Sequence, residues 1–214
     1  MAIGTNGELK AAIENWLART DQTARVPEFI SLAEAEINRR LNIREMESRA
    51  TASTVAGTGY IVLPTSGANF LLLRRLLITS QDPDSVIEFR TPQQIMTEYG
   101  TDTTAKPRVY SIIGTELQLR PVPDAVYTLE AILMNRLSAI SDSVTPVLFT
   151  NNPDLYLYGA LAHAIPFINE PDETQRFAQF RGLFEKALEE QRQTDRRARW
   201  GGAPLVVRSD VWNP

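Results

Sequence analysis

The chain has 214 residues, of which 43% are hydrophobic and 22% charged, with a formal net charge of -4 and no cysteine. That apolar content excludes a disordered chain, and the length suits one large or two small domains. The acidic balance disfavours a surface that holds nucleic acid by counterion release, and the missing thiols exclude disulfides, thiolate metal sites and cysteine nucleophiles.

Thr5 and Glu8 have capping-box spacing, and Leu9, Ile13, Trp16 and Leu17 then recur at helical period, which predicts a helix from Glu8 to Arg19. A second helix opens at Pro27 and Glu28 and carries Phe29, Ile30, Ala33, Ile37 and Leu41 as one apolar stripe. The two are expected to pair as an antiparallel hairpin. From Met46 the texture changes to short β-branched and aromatic runs, predicting strands over 47–54, 60–63, 72–79, 86–89, 108–113, 116–120 and 127–135. Gly114-Thr115 reads as a tight hairpin turn, Pro121-Val122-Pro123-Asp124-Ala125 as a longer one and Gly57-Thr58-Gly59 as a hairpin loop, while Asp82-Pro83-Asp84-Ser85 could hold a hard cation but has the composition of an ordinary turn between two strands. Thr91, Pro92 and Gln94 form a second capping box before a short helix with Ile95, Met96 and Tyr99 on its apolar side.

Helices return after Asn152 and Pro153, and Leu155 to Ala162 is apolar on every side, so this helix is expected to be central and buried. Pro166 and Pro171 should bend or stop it. Asp172 and Gln175 open a final helix with Phe177, Phe180, Phe184, Ala187 and Leu188 as its buried stripe. Beyond Leu188 the helix is polar all round and should project or lie against a neighbour. It ends in Arg192, Asp195, Arg196, Arg197, Arg199 and Trp200, breaks at Gly201-Gly202, and releases a tail with Leu205, Val206, Val207, Arg208, Val211 and Trp212. A tail this apolar and too short to fold alone points to a docking arm, with Trp200 as an interface anchor. The reading is an α+β protein. N- and C-terminal helices build a bundle (1–45 and 150–200), a small, mostly antiparallel β domain is inserted (46–149), and an extended C-terminal arm (201–214) follows.

The chemistry-bearing residues are few. His163 is the sole histidine and lies between Ala162 and Ala164, which favours a buried, hydrogen-bonded structural role over catalysis or metal binding. Gly57 to Gly59 does not open a helix, so it lacks the context of a phosphate loop, and Glu34 and Glu36 fall on a polar helix face with no spacing toward a shared cleft. No enzyme activity, cofactor or metal site is expected. Lys10, Lys106 and Lys186 are the only lysines, so positive charge is nearly all arginine, which fits either codon preference or interfaces that desolvate charge. The Arg192 to Arg199 cluster suits the helix macrodipole, the simpler reading, or phosphate, which leaves a DNA-binding or packaging factor as the alternative function. A small hydrolase or lyase using His163 is a third. With no basic region followed by an apolar core at the start and no apolar run of spanning length, the expectation is a protein neither exported nor membrane-embedded.

Several segments, in this order and spacing, resemble one family. They are Val26-Pro27-Glu28-Phe29-Ile30 leading to Ala33 through Arg39, Arg44-Glu45-Met46-Glu47, Tyr60 with Leu63-Pro64, and Phe70-Leu71 with Leu73-Arg74. Pro107-Arg108 with Tyr110, Leu117-Gln118-Leu119-Arg120-Pro121, Pro153 through Leu161 and Asp195 through Gly202 complete the series. Together the chain resembles the head-to-tail adaptor (connector) proteins of tailed bacteriophages, particularly those of podovirus-like tails. It departs at Ser66-Gly67-Ala68-Asn69, where similar sequences carry an acidic residue. The resemblance implies a structural virion protein forming a ring, commonly dodecameric, below the portal protein. It further implies that the ring extends the DNA channel without specific DNA binding, that a tail or nozzle protein attaches beneath, that the C-terminal arm reaches into the portal, and that assembly takes place in the host cytoplasm, with Arg192, Arg196, Arg197 and Arg199 as candidate contacts to a neighbouring subunit or the portal.

Overall fold

In the computed structural model, residues 3–19, 21–63, 70–80, 83–100, 103–168 and 173–200 are described. The expectations for Pro64, Ser66 to Asn69, Asp82, Pro171, Asp172 and the arm 201–214 lie outside them. The chain divides into two compact units, Met1–Arg44 with Ser138–Pro214, and Glu45–Leu137. The fold is α+β, with the second unit inserted into the first.

The helical unit holds α1 (Asn6–Leu17), α2 (Val26–Arg40), α4 (Val147–Asn151), α5 (Pro153–Ile168) and α6 (Glu173–Trp200), with α3 in the other unit. α1 starts where the sequence places its capping box: Glu8 N donates to Thr5 Oγ1 at 3.2 Å, and the N–H groups of Gly4 and Thr5 donate to Glu8 Oε2. α1 and α2 touch each other, and each packs more extensively on α5. The reason is amphipathicity. α1 and α2 have one apolar stripe each, whereas α5 offers buried residues all round, from Leu155 to Ile165. Pro166 does not stop α5, which runs on to Ile168. Unlike the predicted stripes, Trp16 and Phe177 are exposed, although the Trp16 ring still meets Phe180 edge-on at 5.9 Å.

At Gly159 the neighbouring helices leave no room for a side chain. A Cβ there would stand 2.9 Å from the Phe184 ring on α6 and 3.0 Å from Ala33 Cβ on α2.

The inserted unit holds β1 (Glu47–Ser53), β2 (Tyr60–Val62), β3 (Phe70–Ile78), β4 (Ser85–Phe89), α3 (Pro92–Glu98), β5 (Val109–Ile113), β6 (Glu116–Arg120) and β7 (Thr128–Asn135). They form one seven-stranded sheet in the order β1-β7-β3-β4-β5-β6-β2, antiparallel except for β4 with β5. β3–β4 and β5–β6 are the true hairpins, the latter turning at Gly114 with φ 61°. Gly57 to Gly59 and Pro121 to Ala125 are not hairpin loops, because β1 pairs with β7 and β2 with β6. Both segments are crossings between the two ends of the sheet. Flat, the outer strands would lie about 29 Å apart at ~4.8 Å per step, whereas residues 54–59 reach at most about 24 Å. The sheet therefore curls.

The two crossings run side by side and bind each other. Gly57 N donates to Pro123 O at 2.7 Å, Thr54 N to Tyr127 O at 3.0 Å, and Tyr127 N to Thr54 Oγ1 at 2.8 Å. Inside the curl Leu76, Ile78, Ile87, Leu117, Leu119 and Leu129 build the core.

Replacing Gly159 with Val is expected to cost about 2 kcal/mol by overpacking, read as a lower urea midpoint at unchanged m-value. An unchanged midpoint would mean that α5 has room to move away.

Candidate functional site: the arginine-bearing end of α6

α6 is 28 residues long. Its buried stripe does not stop at Leu188, because Gln191 and Asp195 continue it at 6% and 9% exposure. Both are polar, which hid them from a hydrophobic pattern. Asp195 Oδ1 accepts from Arg44 N at 2.7 Å and Oδ2 from Arg199 Nε at 2.6 Å. Arg192 Nη2 donates to Arg40 O at 2.9 Å, and Arg199 Nη2 to Asn42 O at 3.3 Å. Arg40 is the last residue of α2, so Arg192 satisfies a carbonyl that the helix itself leaves open. The last turns of α6 are thus tied to the end of α2 and do not project alone. Arg196 and Arg197 are exposed. A cleft of about 260 Å³ beside Arg196 is lined by Arg40, Asn42, Arg192, Asp195, Arg196 and Arg199. α6 ends at Trp200, and Gly201, Gly202, Leu205, Val206, Val207, Arg208, Val211 and Trp212 lie outside the described residues.

One step earlier along the same helices sits an ionic cluster centred on Glu36. The sequence places Glu36 on a polar face, but in the fold it is buried, at 8% exposure. Arg181 of α6 donates through Nη2 to its Oε1 at 2.6 Å and through Nη1 to its Oε2 at 2.9 Å. Arg40 adds a bond to Oε1 at 2.9 Å and also pairs with Glu185, which Arg181 approaches at 3.0 Å. Burial pushes the Glu36 carboxyl up, but the bonds from Arg181 and Arg40 outweigh it and hold the group at about 2. The Arg40 hydrogen bond likewise lowers Glu185, and Glu185 in turn raises Arg40. Glu34 faces the other side of α2. Burial raises its carboxyl against the bond from Ile140 N at 2.6 Å.

His163 is half-buried with Nε2 3.2 Å from Glu36 Oε2 but without an aligned hydrogen bond, unlike the hydrogen-bonded histidine expected. A sequence signal for the cluster did exist. Glu36 and Arg40 at i,i+4 match Arg181 and Glu185 at i,i+4 in reversed order. Among the described residues no group of three or more His, Asp or Glu could hold a metal ion, and no helix is long and apolar enough to cross a membrane.

These groups lock helices together and leave Arg196 and Arg197 exposed near the end of a long helix. Residues 5–208 match the family described as SU10 adaptor protein. The chain belongs to that family, whose members are phage head-to-tail adaptors, and so it is a structural protein of the virion. A comparison with curated proteins returned no match.

Because Glu36 is ionised at a lower pH in the folded chain than in the unfolded one, its contribution to stability is fully present above about 4.5, the ordinary value. It is lost as pH falls toward about 2. Glu36→Gln is expected to lower stability by about 3 kcal/mol at pH 7, because it leaves two arginines undercompensated. The gap to the parent should shrink as pH falls through that window, measured by urea unfolding at each pH. A constant gap would assign the loss to packing.

Proposed function

We propose that the chain acts as a head-to-tail adaptor that closes into a dodecameric ring below the portal protein, with assembly in the host cytoplasm. The ring extends the DNA channel and offers an attachment platform to a tail or nozzle protein. The arm from Gly201 onward docks into the portal through Leu205, Val206, Val207, Arg208, Val211 and Trp212, with Gly201 and Gly202 as hinge and Trp200 as the point of departure. Arg196 and Arg197 meet a neighbouring subunit or the portal, while Arg192 and Arg199 support the helix that carries them. The observation that supports this reading is that the family match runs past the end of α6 to Arg208, covering the first eight residues of the arm.

Rings need heterologous contacts, in which one face of a subunit meets a different face of the next. A long helix braced by its own ions supplies a rigid face for that purpose. A net charge of -4 suits passage of DNA along the lumen without retention. The rival reading, DNA binding through Arg192 to Arg199, loses two of its four arginines to bonds with main-chain carbonyls.

Deleting residues 201–214 should abolish joining to portal-containing heads, and Trp212→Ala alone should weaken it roughly 30-fold, as for a hot-spot residue. Full joining by the truncated chain would sink the docking arm. In a gel-shift titration at physiological salt, the full chain should leave duplex DNA free at micromolar protein. Retardation there would favour the rival reading. Electron microscopy of the assembled vertex counts the subunits.

A further inference from the structure

Strand β6 reads Leu117, Gln118, Leu119, Arg120, an alternation that should send the polar pair to water. Instead α3 packs beside β5, and Gln118 and Arg120 are 4% and 8% exposed. Arg120 Nη1 donates to Leu119 O at 2.9 Å, and the guanidinium carbon lies 5.5 Å from the centroid of the Tyr60 ring. The group rests against Gly59, where any Cβ would collide with it. Among the described residues no carboxylate pairs with Arg120. Gln118 Nε2 donates to the Tyr60 hydroxyl at 3.0 Å, but its Oε1 is buried without a partner. So is the hydroxyl of Ser111, the residue in register with Gln118 on β5. Gln118, Arg120 and Tyr60, with Ile95, Met96 and Tyr99, line a cleft of about 160 Å³.

Buried cations are paired as a rule, because the interior does not solvate charge. A buried guanidinium facing a cleft next to an unsatisfied amide is a site whose counter-charge comes from elsewhere. We propose that the cleft is a docking site for a carboxylate-bearing segment of a protein partner, seated on Arg120 and Gln118 with a flanking apolar residue against Met96 and Tyr60. The planar fork of arginine matches a carboxylate. Turning the Gln118 amide over lets Oε1 accept from the Tyr60 hydroxyl and exchanges the unpartnered oxygen for an NH₂ donor. Around the mouth the surface is apolar. Met96 is 76% and Val62 71% exposed, and Ile113 shares their outer face through the register Val62–Glu116–Ile113. Among the described residues Arg120 is the sole cation in the lining, whereas a nucleic-acid strand is held by several. An acidic residue beside an apolar one on a protein fits both the charge and the rim. The proposal does not depend on ring formation or on the portal.

The test titrates the full chain, carrying labelled methionine methyls and side-chain amides, with acetyl-Asp-Leu-amide, followed by NMR. Acetyl-Asn-Leu-amide and thymidine monophosphate serve as comparisons. The Met96 methyl and the Gln118 amide should shift saturably with the aspartyl probe, at least about tenfold more tightly than with the other two. Arg120→Met should abolish the shifts at an unchanged or higher melting temperature, since it removes an uncompensated buried charge. Met96→Glu, at an exposed position, should block binding by supplying a carboxylate in place. Equal binding of the asparaginyl probe, preference for the phosphate, or no shift at about 20 mM would overturn the proposal. A fall in melting temperature above about 5 °C for Arg120→Met would do the same, by making Arg120 a structural group.

Discussion

The helical unit depends on one buried carboxylate. Glu36 draws Arg181 from α6 and Arg40 from its own helix, and Arg40 passes the interaction on to Glu185. Further along, Arg44 N meets Asp195, so the contacts advance along both segments in the same direction. About a turn from Glu36, Ala33, Gly159 and Phe184 make a close apolar approach. The joint between α2, α5 and α6 is therefore half ionic and half steric. The steric half fixes distance and the ionic half fixes register, because a bidentate guanidinium accepts one geometry while an apolar contact tolerates sliding.

The inserted unit solves a different problem. Consecutive strands β1 and β2 lie at opposite ends of the sheet, and the short chain between them permits this only if the sheet curls. The second crossing, from β6 to β7, repeats the passage in the opposite direction, and the two share hydrogen bonds through Thr54, Gly57, Pro123 and Tyr127. That closure encloses a core built from β3, β4, β6 and β7, while α3 covers part of the outer face and buries Gln118 and Arg120 there. Burial on both sides of β6 is what turns an ordinary alternating strand into one with an uncompensated charge.

Much of the candidate site was legible in part. The arginines near the end of α6 stand out in the sequence, and so does the apolar tail. Their roles were not legible, because Arg192 and Arg199 are occupied by carbonyls of a segment some 150 residues away in the chain. Glu36 was misplaced for a related reason. A helical wheel assigns a carboxylate to the wet side unless a partner on another helix is known to meet it.

By itself the sequence determined the local elements. Caps at Thr5 and Thr91, the turn at Gly114, the seven strands and the all-round apolar α5 follow from spacing within a few residues, where backbone sterics and short hydrogen bonds decide. The order of segments also carried the family. Tertiary structure alone decided which strands pair across the sheet beyond the local hairpins, that two apparent hairpin loops are crossings, and which polar groups are buried. Those outcomes depend on contacts between residues far apart in the chain, and desolvation acts on a charge only after distant elements have closed over it.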